Sequence, residues 1–222
     1  MEWSYTHVIW DFNGTLYDDV EAGIESANRL LRAHGLKAFS SVEDYRAAFG
    51  FPIIDYYRRM GFDFEKTPYD SLAREWVPYY MEASKKSKVY VDAIPLLELF
   101  SKRCVTQILL SATEYRMLCG QVEDLKLGGY FAEILGQDNI HAHGKTEIAR
   151  RWREKNRDAR VLFIGDTLHD AEVAKQLGAD CVLLACGHQP REKLMRAGCL
   201  AVYDTHALFY VDLLGSQTFS HS

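Results

Sequence analysis

HVIWDFNGTLYDD, residues 7–19, is the stretch that decides the fold. Its apolar run at residues 8–10 is bounded by turn residues, which is typical of a short strand buried in a sheet. Asp11 follows where that strand ends and precedes a turn that contains Gly14. A buried carboxylate is costly unless a cation or hydrogen-bond donors receive it, and ligands of open α/β sheets bind at this edge. The stretch therefore predicts a ligand site at Asp11, with a simple turn cap as the alternative.

The composition is that of an ordinary globular protein. The chain has 222 residues, of which 48% are hydrophobic and 26% are charged, and this suits one good-sized domain or a core with a smaller domain. The net charge of −5 and the lack of a Lys/Arg stripe argue against nucleic-acid binding. The densest basic run, at residues 85–88, is more typical of a solvated link than of a phosphate-binding surface.

Cysteine usage and hydropathy indicate the compartment. The five cysteines include no C-x-x-C pair, and Cys104, Cys181 and Cys186 lie in or beside apolar runs, which favours free thiols in a reducing environment. The amino-terminal MEWSYTH lacks a basic segment followed by an apolar stretch. No apolar run approaches the roughly 18 residues that span a bilayer. We therefore expect a cytoplasmic protein that binds neither membranes nor nucleic acids.

A helical pattern follows the first strand for about seventy residues, as judged from its periodicity. Two capping-box spacings and two prolines predict four helix starts, at Asp18 with Glu21, Ser40 with Glu43, Pro52 and Pro68. Pro78 predicts a kink or a split in the fourth helix. Four successive helices cannot be the crossovers of a parallel sheet. We therefore predict a small α-helical cap domain at residues 17–88, inserted into an α/β core domain made of residues 1–16 and 89–222.

From residue 89 onward, short apolar runs alternate with helical patterns. The predicted strands cover residues 107–110, 133–135, 161–164, 181–185 and 201–203. Strands that alternate with helices are typical of a parallel sheet. The fold class predicted for the core is therefore α/β, with a Rossmann-like parallel sheet.

Polar residues follow several of these strands and form one chemical set. Asp11 and Asp166 offer the oxygen ligands that Mg²⁺ prefers. Ser111 and the amides near it can receive phosphoryl oxygens, and Lys145 at a helix start supplies a positive charge. Phosphoryl transfer needs a nucleophile, a cation and fixed donors for the equatorial oxygens. The set therefore predicts a phosphoryl-transfer site.

These residues stand in four motifs that resemble those of the haloacid dehalogenase-like (HAD) hydrolases. The motifs are DFNGTL at residues 11–16, Ser111 in LLSAT, Lys145 in HGK and GDTLHD at residues 165–170. ILGQDN at residues 134–139 adds a resemblance to the phosphoglycolate-phosphatase-like branch. The resemblance implies the HAD fold with an inserted cap. It also implies a Mg²⁺-dependent phosphatase that hydrolyses a small phosphorylated metabolite, a phosphoglycolate-like phosphomonoester, through an aspartyl-phosphate.

The resemblance also implies a role for each matching residue. Asp11 would be the nucleophile and a Mg²⁺ ligand, together with the backbone carbonyl of Asn13 and the side chain of Asp166. Lys145 would neutralise charge between Asp11 and the phosphate, and Asp170 would orient Lys145 or a metal-bound water. The phosphoryl oxygens would be held at Gly14, Thr15, Ser111 and Ala112.

Asn13 departs from the family pattern. The phosphatases of this family usually carry an aspartate at this place, which acts as general acid and then as general base, and an amide cannot exchange a proton in that way. His169, Asp18 and Asp19 are the conceivable substitutes, although a local hydrogen-bonding or capping role is the expectation for each. Hydrolysis is therefore expected to be slow or to depend on another acid. The alternative function is a HAD-fold protein with impaired hydrolysis that acts in phosphate-ligand binding or phosphotransfer.

Other HAD chemistries fit the sequence less well. The dehalogenases of the family dispense with Mg²⁺, and Asp166 counts against that reaction. The phosphonate-cleaving relatives use a lysine of the cap, where Lys37 and Lys66 both lie beside predicted loops. The sequence names neither the substrate nor the oligomeric state, for which a monomer or a homodimer is expected, and Trp3 and Tyr5 would pack on a second subunit or on their own core.

Several remaining residues have a purely structural interpretation as well as a functional one. His141 and His143 are spaced for a metal, but without a third ligand they are expected to be exposed loop residues. Arginines 46, 58 and 59 could reach a substrate anion, although a solvated helix face is the expectation for the last two. The turn at residues 49–52 is the better candidate for a loop over the pocket.

Overall fold

Strand β1 lies inside a parallel sheet, as its continuous apolar sequence predicts. The computed structural model describes residues 4–138 and 144–215. Its strands are β1 (His7–Trp10), β2 (Tyr17–Asp18), β3 (Lys88–Val89), β4 (Thr106–Glu114), β5 (Glu133–Gln137), β6 (Val161–Gly165), β7 (Asp180–Leu184) and β8 (Ala201–Tyr203). Within the described residues, six of them form one sheet in the order β5-β4-β1-β6-β7-β8, and every neighbouring pair is parallel. The predicted Rossmann-like α/β fold is confirmed.

The register of the sheet brings three strand ends together. Trp10, the last residue of β1, pairs with Leu109 on one side and with Ile164 on the other. Because parallel strands end at the same edge, the residues that follow β1 and β6 and those at the end of β4 meet there. The polar side chains that follow these strands in the sequence are therefore neighbours in space.

The helices before the third strand share a hydrophobic cluster of their own. These helices are α1 (Val20–Ala33), α2 (Val42–Ala48), α3 (Ile53–Arg59) and α4 (Tyr69–Ala83). The cluster includes Leu30, Tyr45, Tyr56 and Leu72, and it is separate from the clusters that cover the sheet. β2 pairs antiparallel with β3, so that Tyr17 faces Val89 and the two ends of the helical segment lie side by side. The division into core and cap domains stays a prediction.

The remaining helices cover both faces of the sheet. They are α5 (Ile94–Lys102), α6 (Tyr115–Asp124), α7 (Thr146–Lys155), α8 (Leu168–Leu177), α9 (Arg191–Leu194) and α10 (His206–Gly215). Strand β1 shows the two-residue period of a buried strand, because Val8 and Trp10 join one hydrophobic cluster and Ile9 joins the other. No helix within the described residues combines the length and the apolarity needed to cross a membrane.

Two local predictions for the helical segment are wrong in detail. Helix α1 begins after Asp19 without a side-chain cap, so the predicted capping box at Asp18 does not form. Helix α2 is capped by Ser41, one residue later than predicted, and its hydroxyl accepts from the amide of Asp44. Helix α4 runs through Pro78 without a split, and the kink predicted as the other outcome stays a prediction.

Strand β4 is longer than its apolar run predicts. It continues beyond Ser111 because Glu114 pairs with Gln137 of β5 after a shift of register. At the amino-terminal ends of the strands, Tyr5 packs on the protein's own core, and its hydroxyl donates to Asp180, the first residue of β7, at 2.6 Å. Trp3, His141 and His143 lie outside the described residues. So do residues 216–222, SQTFSHS, which the sequence predicts to be a loose tail.

Candidate active site

Three buried aspartates meet at the carboxyl edge of the sheet. Asp11 follows β1, and its amide donates to the carbonyl of Ile164 at 2.8 Å. Asp166 follows β6, and Asp170 lies in the first turn of α8. Each of the three offers a carboxylate oxygen within 4.8 Å of the others, and all three are buried. Oxygen ligands in such a cluster suit a hard divalent cation.

Lys145 joins this cluster from the start of α7. Its ammonium group donates to Asp11 and forms an ion pair with Asp170 at 2.5 Å, and only 3% of the side chain is exposed. Burial alone would lower the pKa of Lys145, but these two carboxylates hold it above its ordinary value. Lys145 is therefore a fixed positive charge beside the carboxylate of Asp11.

The cluster carries more negative charge than its own cations balance. Burial, partly offset by Lys145, raises the pKa of Asp11 to about 6, and burial raises the pKa of Asp166 well above its ordinary value. The described carboxylates are Asp11, Asp19, Asp166 and Asp170, and the described cations beside them are Lys145 and His188. When all four carboxylates are ionised, they exceed the two cations by two negative charges, which one divalent cation would balance. The donor set thus fits a magnesium ion.

Two glycines allow the backbone to approach Asp166. A Cβ atom at Gly14, whose φ is +72°, would lie 2.3 Å from the Asp166 carboxylate, and one at Gly187 would lie 2.1 Å away. The Asp166 carboxylate accepts from the amide of His188 at 2.5 Å. Thr15 is fully buried behind the cluster, where its hydroxyl donates to Asp11 at 3.1 Å. Because Thr15 does not line the described cavity, its predicted contact with the phosphoryl group stays a prediction.

The side chain of Asn13 is hydrogen-bonded at both ends. Its amide nitrogen donates to Asp19 and to the hydroxyl oxygen of Tyr80, each at 2.8 Å. Its carbonyl oxygen accepts from Thr113 at 2.8 Å, and Thr113 in turn accepts from Ser111 at 3.0 Å. The carboxylate of Asp19 can only accept, so this network fixes which end of the amide faces it.

Asp19 and His188 form a buried ion pair next to Asn13. His188 Nε2 lies 3.1 Å from the Asp19 carboxylate, which also accepts from the amide of Gly14 at 2.8 Å and from Tyr80 at 2.7 Å. Burial opposes the charge on His188, but Asp19 outweighs it and raises the pKa of His188 to about 9. Burial likewise opposes the charge on Asp19, and His188 together with its hydrogen-bond donors lowers the pKa of Asp19 below its ordinary value. Both groups are therefore charged at neutral pH.

A second histidine, His169, is held on the other side of the cluster. Its Nε2 accepts from the amide of Lys145 at 3.2 Å, and burial followed by the charge of Lys145 lowers its pKa. The ring of Phe51 stacks on it with centroids 4.6 Å apart. This agrees with the prediction that His169 is a local hydrogen-bonding residue.

A cavity of about 140 Å³ opens from the carboxylates toward the helical segment. Its far walls are mostly apolar and comprise Phe49, Phe51, Ile53, Trp76, Val77, Tyr80 and Met117. The turn at residues 49–52 therefore lies over the cavity, as the sequence predicts. The turn is tied to the core through the carbonyl of Phe49, which accepts from Lys193 at 2.8 Å and from Gln189 at 3.2 Å.

The arginines of the helical segment are engaged elsewhere. Arg46 donates to the carbonyl of Cys186 at 2.6 Å, and Arg59 donates to the carbonyl of Ala48 at 2.6 Å. Arg58 is exposed and pairs with Asp55 at 2.5 Å. None of the three lines the described cavity. Arg58 and Arg59 are both exposed, as predicted, and Arg59 also braces the turn through its hydrogen bond to Ala48.

Most of the residues predicted from the sequence meet in this cavity. Its walls include Asp11, Asn13, Ser111, Ala112, Lys145, Asp166 and Asp170, with Gly14 and Thr15 packed behind them. Asp18 is exposed in β2, and Lys37 and Lys66 are exposed as well, so within the described residues none of these three lines the cavity.

Four residues of the site are not among those predicted from the sequence. They are His188, Tyr80, Thr113 and Tyr45, whose hydroxyl lies 2.9 Å from His188 Nδ1. The stretch GHQ at residues 187–189 was a usable signal for His188, because a glycine and a polar pair follow an apolar strand there.

Comparisons with known proteins agree with this arrangement. Residues 8–184 match the family described as haloacid dehalogenase-like hydrolase. A phosphoglycolate phosphatase from Pseudomonas savastanoi pv. phaseolicola is 24% identical over 196 residues, which covers 82% of this chain and 70% of that protein. Another phosphoglycolate phosphatase, from Rhodobacter capsulatus, is 23% identical over 187 residues, covering 82% and 85% of the two chains.

A solved structure shares the fold. The haloacid dehalogenase-like family hydrolase from Streptococcus pneumoniae superposes with a TM-score of 0.78 at 17% identity, over 96% of this chain and 98% of that one. The family match spans β1 to β7 and every motif residue named above. The chain thus belongs to the haloacid dehalogenase-like hydrolases, in their phosphoglycolate-phosphatase-like branch, and is a hydrolase of the phosphatase class.

Proposed function

We propose that the protein is a Mg²⁺-dependent phosphatase that hydrolyses a small phosphomonoester through an aspartyl-phosphate on Asp11. One observation carries this proposal: the buried carboxylate of Asp11 lies at a strand end beside Lys145, with Asp166 and Asp170 close by. A carboxylate nucleophile next to a fixed ammonium group suits attack on a phosphorus atom, because the ammonium group offsets the repulsion between the two anions.

The proposed hydrolysis has two steps. A carboxylate oxygen of Asp11 bonds to phosphorus while the bond from phosphorus to the leaving oxygen breaks, and the leaving alkoxide takes a proton. A water molecule then attacks the phosphorus of the aspartyl-phosphate, which releases inorganic phosphate and restores Asp11. Lys145 holds a positive charge beside Asp11 through both steps, and Ser111 and Ala112 line the cavity where the phosphoryl oxygens would lie.

A magnesium ion would be held by the side chains of Asp11 and Asp166 and by the backbone carbonyl of Asn13. When bound, the ion supplies positive charge that favours the approach of an anionic phosphate to a carboxylate. The excess of carboxylates over cations in the described cluster supports this assignment. Asp170 orients Lys145 through their ion pair.

Proton transfer is where this chain differs from the usual phosphatase of its family. Asn13 cannot exchange a proton, and its amide and carbonyl groups are both occupied. General acid–base catalysis contributes about 10²–10⁴-fold, so we expect slow hydrolysis. The second candidate function is binding or transfer of a phosphoryl group without efficient hydrolysis. The asparagine at position 13 is the one feature that favours it.

The helical segment at residues 17–88 is proposed to act as a cap that excludes water from the cavity. Phosphoglycolate is the substrate suggested by the names of the relatives. All five cysteines are free thiols, which supports a reducing compartment such as the cytoplasm. A monomer and a homodimer both remain compatible with this function.

The test is phosphate release from a panel of phosphorylated metabolites, with Mg²⁺ and with EDTA. We expect Mg²⁺-dependent release that Asp11→Asn abolishes and that Asp63→Asn, an exposed control, leaves unchanged. Mass spectrometry of acid-quenched enzyme should find the phosphoryl group on Asp11. Release that persists in Asp11→Asn would overturn the mechanism, and a phosphorylated Asp11 without release would favour phosphotransfer.

A further inference from the structure

We infer that this site selects phosphomonoesters whose organic part is apolar and uncharged, an aromatic group above all, over those that carry a carboxylate. The inference rests on the proposed phosphatase function and narrows its substrate class. It separates this chain from the substrate that its relatives' names indicate, since glycolate carries a second negative charge.

The walls of the cavity that face away from the aspartates are apolar. Phe49 and Phe51 of the turn, Ile53 of α3 and Trp76 and Val77 of α4 are partly exposed side chains that line the cavity together. An apolar surface of this kind gains free energy when an apolar group covers it and displaces water. Flat aromatic groups fit such walls, because rings can pack on Phe49, Phe51 and Trp76.

Three cations of this region are held by backbone carbonyls and do not line the described cavity. Arg59 and Lys193 donate to carbonyl groups of the turn that carries Phe49, and Arg46 donates to the carbonyl of Cys186. Among the described residues that line the cavity, the cations are Lys145 and His188, and each is bound to aspartate. A carboxylate on the substrate would therefore find no cation in the described walls that is free to receive it.

The acidic residues of the cavity add to this effect. Asp19 lines the cavity, and so does Glu114, whose carboxylate accepts from the amide of Met117 at 2.9 Å. Because Asp19 is paired with His188, the carboxylate that a substrate carboxylate would face is that of Glu114. The substrate group would lose its water without gaining a partner, and a buried charge without a partner is strongly disfavoured. The net result is discrimination against a second negative charge on the leaving group.

The first experiment compares matched substrates. Benzyl phosphate and 4-carboxybenzyl phosphate have the same reacting alcohol and differ in the remote carboxylate, and ethyl phosphate and 2-phosphoglycolate form a smaller pair. We expect kcat/KM to be at least about tenfold higher for the uncharged member of each pair. A higher kcat/KM for the carboxylated member of both pairs would overturn the inference and leave the phosphatase function intact.

The second experiment installs a cation in the apolar wall. Val77→Lys should raise the ratio of kcat/KM for 4-carboxybenzyl phosphate over benzyl phosphate by about tenfold, since the new ammonium group can pair with the carboxylate. Val77→Gln, which has a similar length and no charge, is the matched control and should change the ratio by less than about twofold. Equal effects of both variants would contradict the charge argument.

A binding measurement separates this inference from the proposed function. Benzylphosphonate and 4-carboxybenzylphosphonate carry a P–C bond in place of the P–O bond that is broken in a phosphate ester, so they are not hydrolysed. Their affinities for the Mg²⁺-loaded enzyme can be measured by calorimetry. If no ester is hydrolysed but benzylphosphonate binds at least about tenfold more tightly, the selectivity stands and hydrolysis fails. If no ester is hydrolysed and the carboxylated phosphonate binds equally well or better, both proposals are overturned.

Discussion

At the scale of single residues, Asn13 is the most consequential side chain of the site. It donates to Asp19 and Tyr80 and accepts from Thr113, a combination that a carboxylate cannot reproduce because an ionised carboxylate only accepts. The residue that departs from the family pattern is thus matched to its surroundings in this chain.

We therefore expect Asn13→Asp to destabilise the protein. The new carboxylate would face the carboxylate of Asp19, whose oxygen now lies 2.8 Å from the Asn13 amide, and leaving a buried group without its partner costs about 1–3 kcal/mol. Asp19→Asn alone also breaks the ion pair with His188, whereas the double variant Asn13→Asp/Asp19→Asn restores one amide and one carboxylate at the contact. The double variant should therefore lose less stability than the sum of the two single variants. Urea unfolding at pH 8 measures both. A single variant as stable as the native chain would contradict the argument, and additive losses would show that the two residues do not interact.

The same residues show what the sequence can and cannot predict at a site. Asp11, Lys145 and Asp166 could be identified because they follow strands or begin a helix within recognisable motifs. His188 pairs with Asp19 across 169 residues, and Tyr80 reaches Asp19 from the interior of a helix 61 residues away. Such contacts depend on how the helical segment packs on the core, which no local pattern specifies.

At the scale of secondary-structure elements, α10 is tied to the loop that follows β1. His206, at the start of α10, donates from Nε2 to the carbonyl of Thr15 at 2.7 Å. Burial lowers the pKa of His206 to about 4, so the ring stays neutral in the folded protein at pH values where it would be protonated in the unfolded chain.

This histidine should make stability depend on pH. Its pKa is lower in the folded state, at about 4, than the 6.5 of an unperturbed histidine, so the unfolded chain binds the extra proton between these values. The free energy of unfolding should therefore fall as the pH is lowered from 6.5 toward 4, by up to about 3 kcal/mol. His206→Gln keeps a donor but does not titrate. Denaturant unfolding at pH 7 and pH 5 should show a smaller loss in this variant, and an equal loss would exclude His206 as the source.

The turn over the cavity offers a second prediction at this scale. Lys193 and Gln189 from the α9 region both donate to the carbonyl of Phe49, and one such hydrogen bond contributes about 1 kcal/mol. Lys193→Met should therefore speed amide hydrogen exchange at residues 48–51 by about fivefold. Lys155→Met, at the end of α7, is the surface control. Unchanged exchange in Lys193→Met would show that Lys193 does not hold the turn in place.

The presence of helices and strands was predicted more accurately than the residues at which they begin and end. The sequence predicts a helix at residues 146–155, and α7 has these bounds. The capping box at Asp18 was wrong because the neighbouring Asp19 turns its carboxylate toward Gly14 and His188 instead of capping α1. Strand β4 extends past Ser111 because it pairs with β5, which its own sequence does not reveal.

At the scale of the whole molecule, the two parts of the chain contribute different properties to one cavity. The sheet, its loops and the helix starts that follow its strands supply most of the charged groups, and α3 and α4 with the turn between α2 and α3 supply most of the apolar walls. The β2–β3 pair brings the two ends of the helical segment together at residues 17 and 89. The fold class follows from the alternation of strands and helices, but the chemical character of the cavity emerges only when both parts are assembled.

The charge imbalance in the cluster predicts how metal binding affects the whole protein. Because the described cluster has four carboxylates and two cations, a bound Mg²⁺ should favour the folded state. At a free concentration about 100 times its dissociation constant, an ion that binds only the folded state stabilises it by about 2.7 kcal/mol. For a chain of 222 residues, this corresponds to a rise in Tm of about 5–10 °C.

Thermal unfolding with Mg²⁺ and with EDTA, at matched ionic strength, measures this rise. Asp166→Asn removes a proposed metal ligand and so separates metal binding from a general salt effect. Burial raises the pKa of Asp166 well above its ordinary value, which means that its charged form is unfavourable in the metal-free protein. The variant should therefore have a higher Tm than the native chain in EDTA and should lose most of the increment in Mg²⁺. These two changes have opposite signs, so simple damage to the fold cannot imitate them. An undiminished Mg²⁺ increment in Asp166→Asn would place the metal elsewhere.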